Sequence, residues 1–158
     1  MDLHINGEQQ SVSADPDEDL LSALRGAGYT GVKRGCEGKG EGCGTCTVLI
    51  DGHAEFACHK TVSDVADAKI ETISSLGTQE NLHPIQEAFV DHFAVQCGFC
   101  TPGIIMQAKE LLDANPSPTE EEIKKAIDTN YCRCTGYQRP VEAIMAAAEK
   151  MHTTSKSD

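Results

Sequence analysis

The chain has 158 residues, room for one domain or two small ones, and eight of them are cysteines. With 13 Lys plus Arg against 25 Asp plus Glu its formal net charge is −12, which argues against nucleic acid or an anionic membrane as partner and in favour of other proteins. The chain shows no signal peptide, twin-arginine start or long apolar run, so a cytoplasmic setting is expected, where clustered cysteines serve as metal ligands rather than disulfides.

In chain order, Leu3-His4-Ile5, a turn at Asn6-Gly7 and Gln10-Ser11-Val12-Ser13 predict a hairpin. Asp15-Pro16-Asp17-Glu18 predicts a helix start, with Asp15 as cap, Pro16 in first position and Glu18 reaching back; Leu20, Leu21 and Leu24 form its apolar face, and Gly26 and Gly28 end it. A glycine-rich loop from Gly31 to Gly44 leads into Thr45-Cys46-Thr47-Val48-Leu49-Ile50, a strand closed by Asp51-Gly52. Ala54 to Val62 returns, and Ile70-Glu71-Thr72-Ile73 is the last strand. A small mixed sheet with one helix across it is a ferredoxin-like β-grasp.

Near Ser74-Ser75-Leu76-Gly77 the strand-like runs give way to helical spacing, which divides the chain into 1–76 and 77–152, with 153–158 as a frayed tail. After Pro84, the residues Ile85, Ala88, Phe89, His92 and Phe93 share a face. Thr101 as cap and Pro102 in first position open the next helix, whose Ile104, Ile105, Ala108, Leu111 and Leu112 run until Asn115-Pro116-Ser117-Pro118 breaks it. Thr119 and Glu122 make a capping box ahead of Ile123, Ala126 and Ile127. Pro140 opens a last helix with Val141, Ile144, Met145, Ala148 and Met151 on one face. Helix, cysteine pair, helix occurs twice, and a pseudo-symmetric four-helix bundle would bring both pairs to one point. The expected fold class is therefore α+β, a β-grasp ferredoxin domain followed by a four-helix bundle.

The cysteines fall into two quartets. Cys36, Cys43, Cys46 and Cys58 have intervals of six, two and eleven residues and approximate the plant-type [2Fe–2S] ferredoxin arrangement, whose first interval is four. Cys97 and Cys100 form one close pair, and Cys132 and Cys134 a second, 31 residues further on. A helix start directly behind a pair sets positive helix-end charge and unpaired N–H groups against thiolate sulfur. Spacing alone leaves zinc open, but Cys-x2-Cys with Cys-x-Cys in a helical setting is not a usual zinc ribbon.

Gly35-Cys36, Gly42-Cys43-Gly44-Thr45-Cys46-Thr47-Val48, Cys58, Gln96-Cys97-Gly98-Phe99-Cys100-Thr101-Pro102-Gly103 and Asn130-Tyr131-Cys132-Arg133-Cys134-Thr135-Gly136-Tyr137 together resemble the small iron–sulfur subunit of the xanthine oxidase family of molybdenum hydroxylases, over nearly the whole chain. The resemblance implies two [2Fe–2S] clusters. Cys36, Cys43, Cys46 and Cys58 would hold the one nearer a flavin, and Cys97, Cys100, Cys132 and Cys134 the one nearer the molybdenum cofactor. It also implies a pterin contact at Gln96 and Cys134, a large molybdenum-pterin subunit, an FAD-binding medium subunit and a dimer of such heterotrimers. The two extra residues between Cys36 and Cys43 depart from the family and bear on the potential, loop shape and docking at the first cluster.

Other residues carry blander readings. His59 and His92 are expected to be surface or packing groups, Lys33, Arg34 and Arg133 solvated charges, and Tyr131 and Tyr137 covers over the second site. No nucleophile-base pair, phosphate loop or paired carboxylates stand out, so the expected role is relaying single electrons between partner-held centres. A free-standing two-cluster ferredoxin and a zinc-stapled adaptor are the rival readings. Co-purifying chains would separate the first from a subunit, and metal analysis the second.

Overall fold

Asn6 and Gly7, at φ 53° and 85°, supply the positive-φ pair that a two-residue hairpin turn needs. They join β1 (Asp2–Ile5) to β2 (Glu8–Ser11) in the computed structural model, which describes residues 1–154, with side chains through Thr153. The sheet adds β3 (Thr47–Ile50), β4 (His53–Phe56) and β5 (Lys69–Glu71) in the order β2-β1-β5-β3-β4. The β1–β5 pairing is parallel and the others are antiparallel. Helix α1 (Leu20–Gly26) lays Leu20, Leu21, Ala23 and Leu24 on Leu3, Ile5, Val48 and Ile70, the β-grasp arrangement.

Two local expectations are corrected here. The cap of α1 is Asp19, not Asp15: its carboxylate accepts from Ser22 N–H at 2.9 Å. The carbonyls of Pro16 and Glu18 accept from Ser63 and Val62, and Asp19 bridges Thr61, so a distant loop holds residues 16–18 in a turn and Asp19 extended, which delays the helix. Strand β3 starts at Thr47, which leaves Cys46 in the preceding turn, and Cys58 sits on a 3₁₀ turn (Ala57–His59) after β4.

Just past β5, Thr72 is tied to the β1–β2 turn by hydrogen bonds with the Asn6 side chain at 2.8 and 3.0 Å, while Ile73 and Leu76 already pack on the helical core. Four helices follow: α2 (Pro84–Asp91), α3 (Thr101–Ala114), α4 (Glu120–Ile127) and α5 (Gln138–Thr154). Ile85, Phe89, Ile104, Ile123, Ile127 and Ile144 are among the residues that fill their common core. Helix α3 also packs on β3, tying the bundle to the sheet.

The Thr119–Glu122 capping box forms as expected, Glu122 N–H reaching Thr119 Oγ1 and Thr119 N–H reaching Glu122 Oε2. A second box, His83 with Gln86, opens α2, although His83 carried no signal in the sequence. Phe93 is not on the buried face of α2: it is 80% exposed at φ 53°. Phe93 N–H donates to Val90 C=O and Ala94 N–H to Phe89 C=O, a Schellman ending with Phe93 in the left-handed position, which turns its ring out. The cap of α3 is Cys100 rather than Thr101, with Pro102 in the second position. Helix α5 begins at Gln138, ahead of Pro140, and buries Ala143 and Ala147 where Met145 was expected; Met145 is exposed. Thr153 and Thr154 close this helix rather than fraying, and the rest of the expected tail lies outside the described residues.

Candidate metal centres

The β3–β4 ladder pairs Thr47 with Phe56 and so sets the residues just outside it side by side. Ala57 N–H donates to Cys46 C=O, and Cys46 Sγ lies 3.4 Å from Cys58 Sγ. Cys36 lies close enough to Cys43 and Cys58 for both to influence its thiol, which completes the first quartet. Gly38 N–H donates to Cys36 Sγ at 3.5 Å, and the Thr45 hydroxyl lies 3.3 Å from Cys43 Sγ. The Gly38 N–H bond holds the Cys36 thiol below its ordinary value. Burial pushes Cys46 up, and burial with the neighbouring Cys46 pushes Cys58 up to about 12.

The second quartet converges as well. Cys100 lies beside Cys132, and Cys97 beside Cys134, close enough for Cys132 to raise the Cys100 thiol and Cys97 that of Cys134. All four line one cavity of about 150 Å³ with Phe99 and Tyr131. Cys100 and Cys132 are buried whereas Cys97 and Cys134 are exposed, so this site has an inner pair and an outer pair. Cys100 caps α3, whose first N–H groups are the positive end of a fourteen-residue helix. Burial and the Cys132 thiol drive Cys100 up to about 12. Burial also works to raise Cys132, but hydrogen bonds from Thr135, whose hydroxyl is 3.0 Å away, and from Cys100 outweigh it.

All eight cysteines are free thiols. Touching thiols cannot both ionise without a cation between them, and a bound metal supplies that charge and displaces the protons. Among the described residues no three Cys, His, Asp or Glu side chains converge as ligands of a single ion. Four thiols gather at each site, the donor set that a [2Fe–2S] cluster takes with two thiolates per iron, so the residues present fit that group.

Gln96 is exposed beside Cys97. Arg34 is not merely solvated: it pairs with Asp19 at 2.8 Å and reaches Ser22. His59 tilts against the ring of Phe56. Tyr131 is exposed at the second cavity, but Tyr137 does not cover it. Its hydroxyl donates to Asn130 C=O at 3.1 Å and accepts from Cys132 N–H at 2.8 Å, bracing the loop from behind. Asn130, fully buried between the two quartets and bonded to Gly44 and Thr47, is the residue of this region to which the sequence reading gave no role of its own. The available signal was a polar residue two positions ahead of a ligand cysteine with no turn or cap of its own to serve.

A β-grasp ferredoxin domain joined to a helical bundle, each with a sulfur quartet, defines a two-centre iron–sulfur electron carrier. Residues 3–72 match the 2Fe-2S iron-sulfur cluster binding domain and residues 72–145 the [2Fe-2S] binding domain. The chain is 46% identical over 149 residues to the nicotine 6-hydroxylase small subunit of Paenarthrobacter nicotinovorans, covering 93% of this chain and 88% of that one. It is 47% identical to the aldehyde oxidoreductase of Megalodesulfovibrio gigas, covering 92% of this chain and 16% of that much longer one. Its fold superposes on quinoline 2-oxidoreductase from Pseudomonas putida 86 with a TM-score of 0.90 and 38% identity, covering 97% of this chain and 95% of that chain. The chain belongs to the small iron–sulfur subunits of the xanthine oxidase family of molybdenum hydroxylases. It is the electron-transfer part of a larger oxidoreductase whose substrate chemistry lies on a partner chain.

Proposed function

We propose that Cys36, Cys43, Cys46 and Cys58 hold one [2Fe–2S] cluster and Cys97, Cys100, Cys132 and Cys134 the other, in functional units 1–76 and 77–152 joined through the turn at 72–76. When bound, each cluster takes up and releases one electron at a time. The protein's own part is to hold the sulfurs in pairs, keep water from the inner ones, and offer dipoles to the charge that reduction adds. Gly38 N–H does this at Cys36, and the α3 N-terminus at Cys100. The observation that carries the reading is the division of the second quartet into an exposed pair and a buried pair. Cys97 and Cys134, with Gln96 beside them, form the outward face toward a large subunit's molybdenum-pterin, with Gln96 and Cys134 as pterin contacts. Cys100 and Cys132 form the inward face toward the sheet domain.

The electron leaves from the first quartet toward FAD on a separate medium subunit, in a cytoplasmic dimer of heterotrimers. The absence, among the described residues, of a helix long and apolar enough to cross a membrane accords with that setting. The names of the relatives matched nearly end to end cite nicotine, nicotinate and quinoline, so nitrogen heterocycles are the substrates to assay first. Native purification with metal analysis tests the whole assignment. About four irons per copy of this chain are expected, two for each of two centres, with molybdenum, flavin and two larger chains alongside. Zinc in place of iron, or a chain that purifies alone with both clusters, overturns it. Cys46→Ser and Cys132→Ser are each expected to lower the iron to about two per chain, and loss of neither or both refutes the quartet assignment.

A further inference from the structure

The seam between the two domains runs directly between the two quartets. Gly44 lies between Cys43 and Cys46, Gly103 follows Cys100, and Asn130 precedes Cys132 by two residues. A Cβ on Gly103 would stand 2.3 Å from the Gly44 carbonyl oxygen, and one on Gly44 2.6 Å from Asn130 Nδ2. The Gly103 main chain therefore packs directly on that of Gly44, with the Asn130 amide as the side chain wedged beside them. The fully buried Asn130 amide donates to Gly44 C=O at 2.7 Å and to Thr47 Oγ1 at 3.4 Å. One residue on, Tyr131 N–H donates to Cys43 C=O at 2.8 Å. The Tyr137 hydroxyl, linking Asn130 C=O to Cys132 N–H, fixes the same three residues from the other side.

We infer that Asn130 is a positioning residue for electron passage between the quartets: it clamps Gly44 so that Tyr131 N–H and Cys43 C=O join Cys132 to Cys43 through one non-covalent contact. Every other link on that route is a covalent bond of residues 43, 131 or 132. Electronic coupling decays far more steeply across a gap than along bonds, so the length of this one contact governs the route. In the step, one electron leaves the centre held by the second quartet, which is oxidised, and reduces the centre held by the first. No bond forms or breaks, and no proton moves. A buried amide is costly to desolvate unless each polar atom is satisfied, and Asn130 directs its donors across the seam rather than within its own domain.

The inference rests on the two-cluster relay reading, and its test separates the two. In the reduced holoenzyme, electron paramagnetic resonance reads the magnetic coupling between the two centres, and rapid reduction reads their electron exchange. Asn130→Ala and Asn130→Asp, which lacks the Nδ2 donor, are expected to keep about four irons per chain while losing coupling splitting and slowing exchange. Unchanged splitting and exchange in iron-replete variants overturns the inference, whatever happens to stability. Should both variants fail to hold iron, Tyr137→Phe carries the test by removing only the bridging hydroxyl: weakened splitting supports the inference and wild-type splitting refutes it. A wild-type complex lacking two iron centres would instead refute the relay reading. Replacing Tyr131 by its α-hydroxy acid deletes the N–H alone; slower exchange with intact centres is expected, and an unchanged rate overturns the route.

Discussion

Gly103→Ala sets helix propensity against packing, and the structure gives the outcome its sign. Gly103 lies in the first turn of α3 with helical backbone, where alanine ordinarily stabilises by about 1 kcal/mol. Here the new methyl would sit 2.3 Å from Gly44 O, 3.0 Å from Asn130 Nδ2 and 3.1 Å from Thr45 Cα, and contacts below 3.0 Å are essentially never seen. Two of these are main-chain atoms, so no flexible side chain can swing away. Forcing the seam apart carries an overpacking cost of about 1–3 kcal/mol. Stretching the Asn130 bond to Gly44 leaves buried polar groups unpaired at about another 1–3 kcal/mol. Set against the propensity gain, the expected net loss is about 3 kcal/mol, a fall in Tm of about 6–12 °C for a chain of this size. Thermal unfolding of the iron-loaded chain, followed by circular dichroism and visible absorbance, measures it. A Tm equal to or above wild type refutes the seam geometry.

Phe93→Gly is expected to act in the opposite sense. It removes a left-handed side-chain strain of about 1–2 kcal/mol, so the isolated chain should unfold at a higher temperature. A lower Tm would mean that the exposed ring contributes packing within the chain. Asp19→Ala removes the α1 cap and the Arg34 pairing and is expected to cost about 1 kcal/mol at neutral pH. Burial alone would raise the Asp19 carboxyl, but Ser22 and Arg34 hold it below its ordinary 3.8. Its contribution is therefore fully present above that value and disappears as pH falls through the lower folded value. The gap between the denaturant midpoints of wild type and variant should begin to narrow as pH falls below 3.8 and close only beneath the lower folded value, and a gap unchanged across that whole range refutes the charge assignment.

Features that depend on neighbours in sequence were legible in advance. Thr119 and Glu122 form their capping box because both partners lie within one turn, and Pro84 opens α2 because it needs no partner for its missing N–H. Errors arose where a distant segment competes for the same backbone. Asp15 loses the cap to Asp19 because Lys60 to Ser63 bind residues 16–20. Phe93 fits a helical apolar spacing, yet the chain has already turned when it is reached.

The eight cysteines, their grouping into two quartets and the change from strand to helical period are written in the order of residues alone, because thiol chemistry and local periodicity need nothing from elsewhere in the chain. Which sulfurs face outward, which face inward, and how closely the two sites approach emerge only when α3 docks on β3 and Asn130 meets Gly44, 86 positions away. Those properties belong to contacts between surfaces, and surfaces exist only once the chain has folded.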